Sequence, residues 1–198
     1  MKRFCMALLL MAGLVGTVAA QEKKWEHGVQ LSAGVLTDQE GTDFDYGLSV
    51  KLGYSVAHRF TEQFSLKTGA ALRRDMEHAF RHLVGGYSDE FSYVEVPVIA
   101  RWHMDDGFVF AVGPVLNILV DGTNPVDYYD IIFCEHVRAL DALKPLYVGL
   151  QPSVMYEWGK HVRVGVEANV GLMNIRKFPD LYSEQYLRQV MLTVGYSF

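Results

Sequence analysis

The sequence predicts an all-β protein, an eight-stranded antiparallel up-and-down transmembrane β-barrel. Three observations lead there. The chain opens with an export leader. Its body alternates apolar and polar residues with a period of two, in eight separate segments. Those segments are longer than the strands of most soluble proteins.

The leader comes first. Lys2 and Arg3 precede an apolar stretch from Phe4 to Val15, and Gly16-Thr17-Val18-Ala19-Ala20 follows. A basic start, a short apolar middle and small residues at the end make a secretory signal peptide, with cleavage expected after Ala20. The apolar run is too short for a spanning helix, and Cys5 lies too far upstream to be a lipidation site. Residues 1–20 are therefore read as signal peptide and residues 21–198 as one barrel domain. Removing twenty of the 198 residues leaves 178. The loss of Lys2 and Arg3 takes the formal charge from -5 to -7. Cys5 leaves with the leader, so Cys134 stands alone and no internal disulfide is possible.

Composition narrows the class. Half the residues are apolar, 13% are aromatic and 21% are charged, which excludes a disordered tail or a collagen-like repeat. The net negative charge gives a polyanion nothing to bind, so no nucleic-acid partner is expected. No later segment approaches eighteen uninterrupted apolar residues, so an exported chain of this kind is periplasmic, secreted or a membrane β-barrel.

The eight strands are expected near 27–36, 44–58, 62–75, 90–104, 107–121, 144–158, 161–173 and 186–198. The clearest is the seventh. Val162, Val164, Val166, Ala168, Val170 and Leu172 share one face, and Arg163, Gly165, Glu167, Asn169 and Gly171 share the other. The sixth alternates Leu146, Val148, Leu150, Val154, Tyr156 and Trp158 with Tyr147, Gly149, Gln151, Ser153 and Glu157. The eighth sets Tyr186, Val190, Leu192, Val194, Tyr196 and Phe198 against Gln189, Thr193, Gly195 and Ser197. The first four follow the same rule. Phe108 to Val120 is the least decisive, because Val109, Val115 and Leu119 put apolar groups on its second face. A tilted strand needs roughly 9–11 residues to cross hydrocarbon, whereas soluble strands average about 5–6. Length thus favours a membrane barrel over a soluble one.

The connections alternate as well. Short turns are expected near His58–Glu62, Met104–Gly107 and Trp158–His161. Longer loops are expected near Thr37–Asp43, Met76–Asp89, Gly122–Leu143 and Asn174–Gln185. Short periplasmic turns and longer outer loops are the habit of outer-membrane barrels. The expected location is the Gram-negative outer membrane, with the apolar face against outer-membrane lipid. The second face carries Lys51, Lys67, Arg73, Glu95, Arg101, Glu157, Arg163 and Glu167, which are read as a lumen charge network. An eight-stranded lumen is just wide enough for side chains to fill it, so a structural plug is preferred to a conduction path. Trp102, Tyr156, Trp158, Tyr186, Tyr196 and Phe198 lie near strand ends and are read as an aromatic girdle at the lipid–water interface.

These residues carry a family resemblance. The matching motifs are Val94-Glu95-Val96-Pro97-Val98, Val112-Gly113-Pro114, Gly165-Val166-Glu167, Gly171-Leu172-Met173-Asn174-Ile175 and the closing Leu192-Thr193-Val194-Gly195-Tyr196-Ser197-Phe198. The chain resembles the PorT-like outer-membrane β-barrel proteins, small eight-stranded barrels of Bacteroidetes type. The resemblance implies the barrel; family members include proteins tied to secretion and gliding. The alternating last strand with its aromatic end is similar to the signal read by the barrel-assembly machinery, which is then an expected partner.

Other constellations point to less. His78 and His82 stand at i and i+4, but two ligands rarely define a metal site, and a solvated loop is the better reading. The segment Asp130–Leu143 has an apolar stripe that either folds over its own barrel or meets a partner. Tyr128, Tyr129, Ile132 and Phe133 are the candidate partner-loop residues. Cys134 and His136 lie two apart, and such neighbours do not face each other on a helix. No phosphate-cradling glycine loop or G-x-S-x-G elbow is present, so no cofactor, metal or catalytic residue is expected. The leading function is therefore a non-enzymatic outer-membrane scaffold whose outer loops bind a partner or ligand. The alternatives are a small lipid-modifying enzyme on the same scaffold and a soluble periplasmic lipocalin-like barrel.

Overall fold

The computed structural model describes residues 25–40, 43–77, 89–124, 137–138, 143–159, 161–175 and 185–198. The expected leader lies outside them, as do Tyr128, Tyr129, Ile132, Phe133, His78, His82, Cys134 and His136.

The described residues form eleven β segments. They are β1 (Trp25–Glu40), β2 (Asp43–Arg59), β3 (Phe64–Glu77), β4 (Asp89–His103), β5 (Phe108–Val112), β6 (Pro114–Asn124), β7 (Val137–Arg138), β8 (Leu146–Leu150), β9 (Ser153–Trp158), β10 (Val162–Gly171) and β11 (Gln185–Ser197). β5 and β6 make one stave, broken at Gly113, and β9 follows β8 in another after Gln151 and Pro152. β7 is a two-residue pairing on β6 beyond the β8 register, and the other segments make eight staves. Leu31 pairs with Leu52 of β2 on one side and with Val194 of β11 on the other, so the antiparallel sheet closes on itself. Closure leaves no long edge unpaired, which any sheet in hydrocarbon requires.

A glycine and a proline stand at the two breaks. At Gly113 an added Cβ would lie 2.1 Å from the Val98 carbonyl oxygen, so β4 passes too close for any side chain. Pro152 has no N–H to give the ladder. The Gln151 N–H instead donates to the Gly113 carbonyl at 2.8 Å and ties the two staves together at the break.

The start of β1 and the end of β11 meet at one end of the barrel, where the Phe198 N–H donates to the His27 carbonyl at 2.9 Å. Three short connections share that end. Gly107 (φ 89°) and Gly159 (φ 68°) supply the left-handed backbone that two of these turns need. We call this the termini end, and the opposite one the far end.

Two expectations about the connections need correction. The loop read at Thr37–Asp43 is mostly strand, because β1 and β2 stay paired out to Glu40 and Asp43. Strand also extends into the Gly122–Leu143 loop, where Thr123 pairs with Arg138. Side-chain alternation marks only the stretch that must separate lipid from lumen. Backbone pairing continues past it wherever the ladder stays hydrogen-bonded.

The barrel wears its apolar residues outside. Leu31, Val35, Val50, Val164, Val190 and Val194 are all exposed, and Leu192 is 71% exposed. Meanwhile Lys51, Arg73, Asp75, Glu95, Arg101 and Glu167 are buried within. A monomeric soluble protein rarely exposes so large a contiguous apolar surface, whereas a lipid-embedded barrel must.

The interior is not polar throughout, contrary to expectation. Leu36, Phe91, Tyr93, Leu119, Leu143, Tyr147, Ile175 and Leu187 form a buried apolar cluster toward the far end. This explains the indecisive Phe108–Val120 pattern. There the inward side chains include Val109, Val115 and Leu119, and the outward ones include Phe110, Val112 and Val120, so both faces are apolar.

Candidate functional site: the barrel interior and its rim

The inner face of β3 shows how the interior is layered. From the termini end it reads Ser65, Lys67, Gly69, Ala71, Arg73 and Asp75. Ionic groups therefore fall in two levels, separated by small residues.

The upper level centres on Arg73. Its Nε donates to Asp75 at 3.0 Å, and its two Nη atoms reach Glu95, Asn117 (2.9 Å) and the Tyr147 hydroxyl (2.7 Å). The guanidinium lies 4.4 Å from the centre of the Tyr93 ring. Ser49 donates to Asp75 at 2.6 Å, and Gln189 donates to both Asp75 oxygens at 3.0 Å. Lys51 bridges Glu95, at 3.2 Å, and Glu167. Gln151 donates to Glu167 at 2.9 Å, and Asn169 donates to Glu95 at 3.2 Å. These bonds tie β2, β3, β4, β6, β8, β10 and β11 across the lumen. Arginine suits the centre because its planar fork serves several acceptors at once. The buried carboxylates need such partners, since an isolated charge in this environment is very costly.

The lower level lies near the termini end. Glu26 accepts from Arg163 Nη2 at 2.6 Å and from Arg101 at 3.2 Å. Glu157 accepts from Arg163 Nε at 2.8 Å and lies 3.6 Å from Arg101 and 3.5 Å from His103. His103 is also hydrogen-bonded to Ser65 at 2.8 Å. The Glu26 and Glu157 side chains are about a quarter exposed, so water reaches this level.

All eight charged residues singled out in the sequence thus lie on the inner side of the wall. Seven are in cation–carboxylate pairs. Lys67 is different, donating instead to Gln30 Oε1 at 3.0 Å. Glu26, Asp75 and Asn117 were not singled out in the sequence, while Tyr147, Gln151 and Gln189 were placed on the polar face but not in the charge network. Strand parity carried the signal for Asp75, two positions after Arg73. Glu26 fell just outside the expected start of the first strand.

On the outside, Trp102, Tyr156, Trp158, Tyr196 and Phe198 are exposed near the termini end. Tyr186 lies at the far end of β11, away from them. Trp25, Phe60, Phe64 and Phe108 join the five, and histidines sit among them. Trp25 meets His58 edge-on with ring centres 4.6 Å apart, and His161 stacks on Tyr196 at 5.5 Å. The His27 ring is hydrogen-bonded to the Tyr54 hydroxyl at 2.6 Å. The histidines went unnoticed in the sequence because they sit singly at strand ends.

Comparison with known proteins gives the family. The model of the outer membrane protein beta-barrel domain family matches residues 13–177. The barrel is similar in fold to Neisserial surface protein A, NspA, with a TM-score of 0.61 and 10% identity, covering 87% of this chain and 97% of that one. It is also similar to Ail, the attachment invasion locus protein of Yersinia pestis, with a TM-score of 0.52 and 10% identity, covering 88% of this chain and 99% of that one. No curated protein matches the chain in sequence. A closed eight-stave barrel with lipid-type residues outside, matched over most of its length by one family, belongs to the outer membrane protein beta-barrel domain family and to the outer membrane.

Proposed function

We propose that the protein is a non-enzymatic outer-membrane scaffold whose interior is plugged by its own side chains and whose far-end connections bind a partner. One observation carries the plug: the Arg73-centred network links seven of the eleven strand segments across the lumen. The apolar cluster beside it adds a second obstruction. A hydrated ion would have to separate several buried charge pairs to pass. Single-channel recording in planar bilayers tests this. No discrete conductance steps are expected, and steps of reproducible size refute the plug.

The short turns, the start of β1 and the end of β11 share one end, which is the periplasmic side in barrels of this habit. The far-end connections then face outward. Tyr128, Tyr129, Ile132 and Phe133 supply the aromatic and aliphatic anchors that interface centres favour. Deleting 124–142 should leave a barrel that still shifts mobility on boiling but has lost its phenotype. Full activity after the deletion counts against the loop. Residues 1–20 act as the leader in this reading, and intact-mass measurement of the outer-membrane form should find Gln21 at the N-terminus. The exposed Phe198 closes the strand offered to the barrel-assembly machinery, so F198S should lower the yield of assembled barrel several-fold. The PorT-like motifs support the same reading.

A further inference from the structure

Between the two ionic levels the inner wall includes several small residues. Gly28, Gly195 and Ala111 line a cavity of about 40 Å³ there. That is room for one or a few water-sized species. Its polar lining comes from Lys67, Arg101 and Arg163 together with Gln30, Tyr196 and the hydroxyls of Ser55, Ser153 and Thr193. Three of these eight are cations and none is an acid. We propose that this cavity is a binding site for a small inorganic anion of chloride size, entered from the periplasmic end.

Charge placement supports an anion over water alone. In the upper level Asp75, Glu95 and Glu167 face Lys51 and Arg73, which leaves one negative charge in excess. In the lower level Glu26 and Glu157 face Arg101, Arg163 and Lys67, which leaves one positive charge in excess. The surplus cation is Lys67. Among the described residues it pairs with no carboxylate. Its ammonium has three donors, and Gln30 takes one. Arg101 is also incompletely used, since its Nη2 lies 3.6 Å from Glu157, beyond good hydrogen-bond length. Lys67, Arg101 and Arg163 thus line a space that has no carboxylate in its lining.

A wider recess of about 220 Å³ lies at the termini end, lined in part by Glu26, Arg59, Glu157 and Arg163. Arg163 borders both spaces, which puts the cavity next to the recess from which an anion would enter. The cavity is too small for a lipid phosphate or a sugar, and its volume suits a monatomic ion.

The test uses the full barrel purified in detergent. Its unfolding temperature is followed by near-ultraviolet circular dichroism in sodium chloride and in sodium gluconate at equal ionic strength. A ligand bound only by the folded state raises that temperature. At saturating chloride the expected rise is about 2–4 °C. Lys67→Gln should abolish it. Gly195→Ala is the second variant, because its added Cβ would make only ordinary contacts, the nearest at 3.6 Å, while its methyl enters the cavity. It should fold normally and need about tenfold more chloride for the same shift. Crystals soaked in bromide should show an anomalous peak beside Lys67. Equal unfolding temperatures in the two salts overturn the proposal, leaving a cavity of water only. A wild-type chloride response retained by Gly195→Ala overturns it too, and does so even if Lys67→Gln fails to fold.

Discussion

The two ionic levels use the same chemistry and differ in solvation. Around Arg73 the side chains of Arg73, Asp75 and Glu167 have no exposure to speak of, and neutral amides and hydroxyls complete the network. Around Arg163, water shares the carboxylates. A buried pair resists the loss of one partner far more strongly than a wetted one, because the survivor has no solvent to turn to. The upper level therefore determines whether the barrel is stable. The lower one has slack, and slack is what allows a visiting ion.

Substitutions can break or sharpen that contrast. Arg73→Met leaves Asp75 without a cation and Glu95 with Lys51 as its one remaining cation, and should cost about 3–5 kcal/mol. Urea unfolding from lipid vesicles measures it, and a loss below about 1 kcal/mol would put the two levels on the same footing. Tyr147→Phe removes one acceptor of Arg73 and should cost about 1–3 kcal/mol in the same assay. Glu157→Gln keeps shape and hydrogen bonding but drops a partly wetted charge. About 1 kcal/mol is expected, diminishing as salt is raised. The smallest effect belongs to the outward pair Arg74–Glu90, whose side chains are 60% and 43% exposed. Arg74→Ala should stay within about 0.5 kcal/mol. A larger cost at Arg74 than at Glu157 would reverse the order that solvation imposes.

Much of this architecture was legible in the amino acids. The period-two pattern of Val162–Leu172 placed every inward and outward side chain of β10, because lipid and lumen make opposite demands on adjacent positions. The charged inner residues were legible for the same reason. Where the lumen itself turned apolar, around Val115 and Leu119, the contrast vanished and the pattern became ambiguous. Partnership was not legible. Parity puts Arg73 and Asp75 on one side, but only the closed wall brings Asn117, Tyr147 and Gln189 to them from other staves. The cavity was equally hidden, since it arises where glycines from separate strands come level.

The aromatic collar has a consequence for bilayer thickness. Rings with polar edges hold their depth at a headgroup boundary. Here Trp25, Trp102, Tyr156, Trp158 and Tyr196 crowd one rim, while the exposed aromatics described at the other come down to Tyr46. The collar then holds the termini end at one headgroup boundary, and a membrane thicker or thinner than the aliphatic wall is met by covering or uncovering that wall at modest energetic cost.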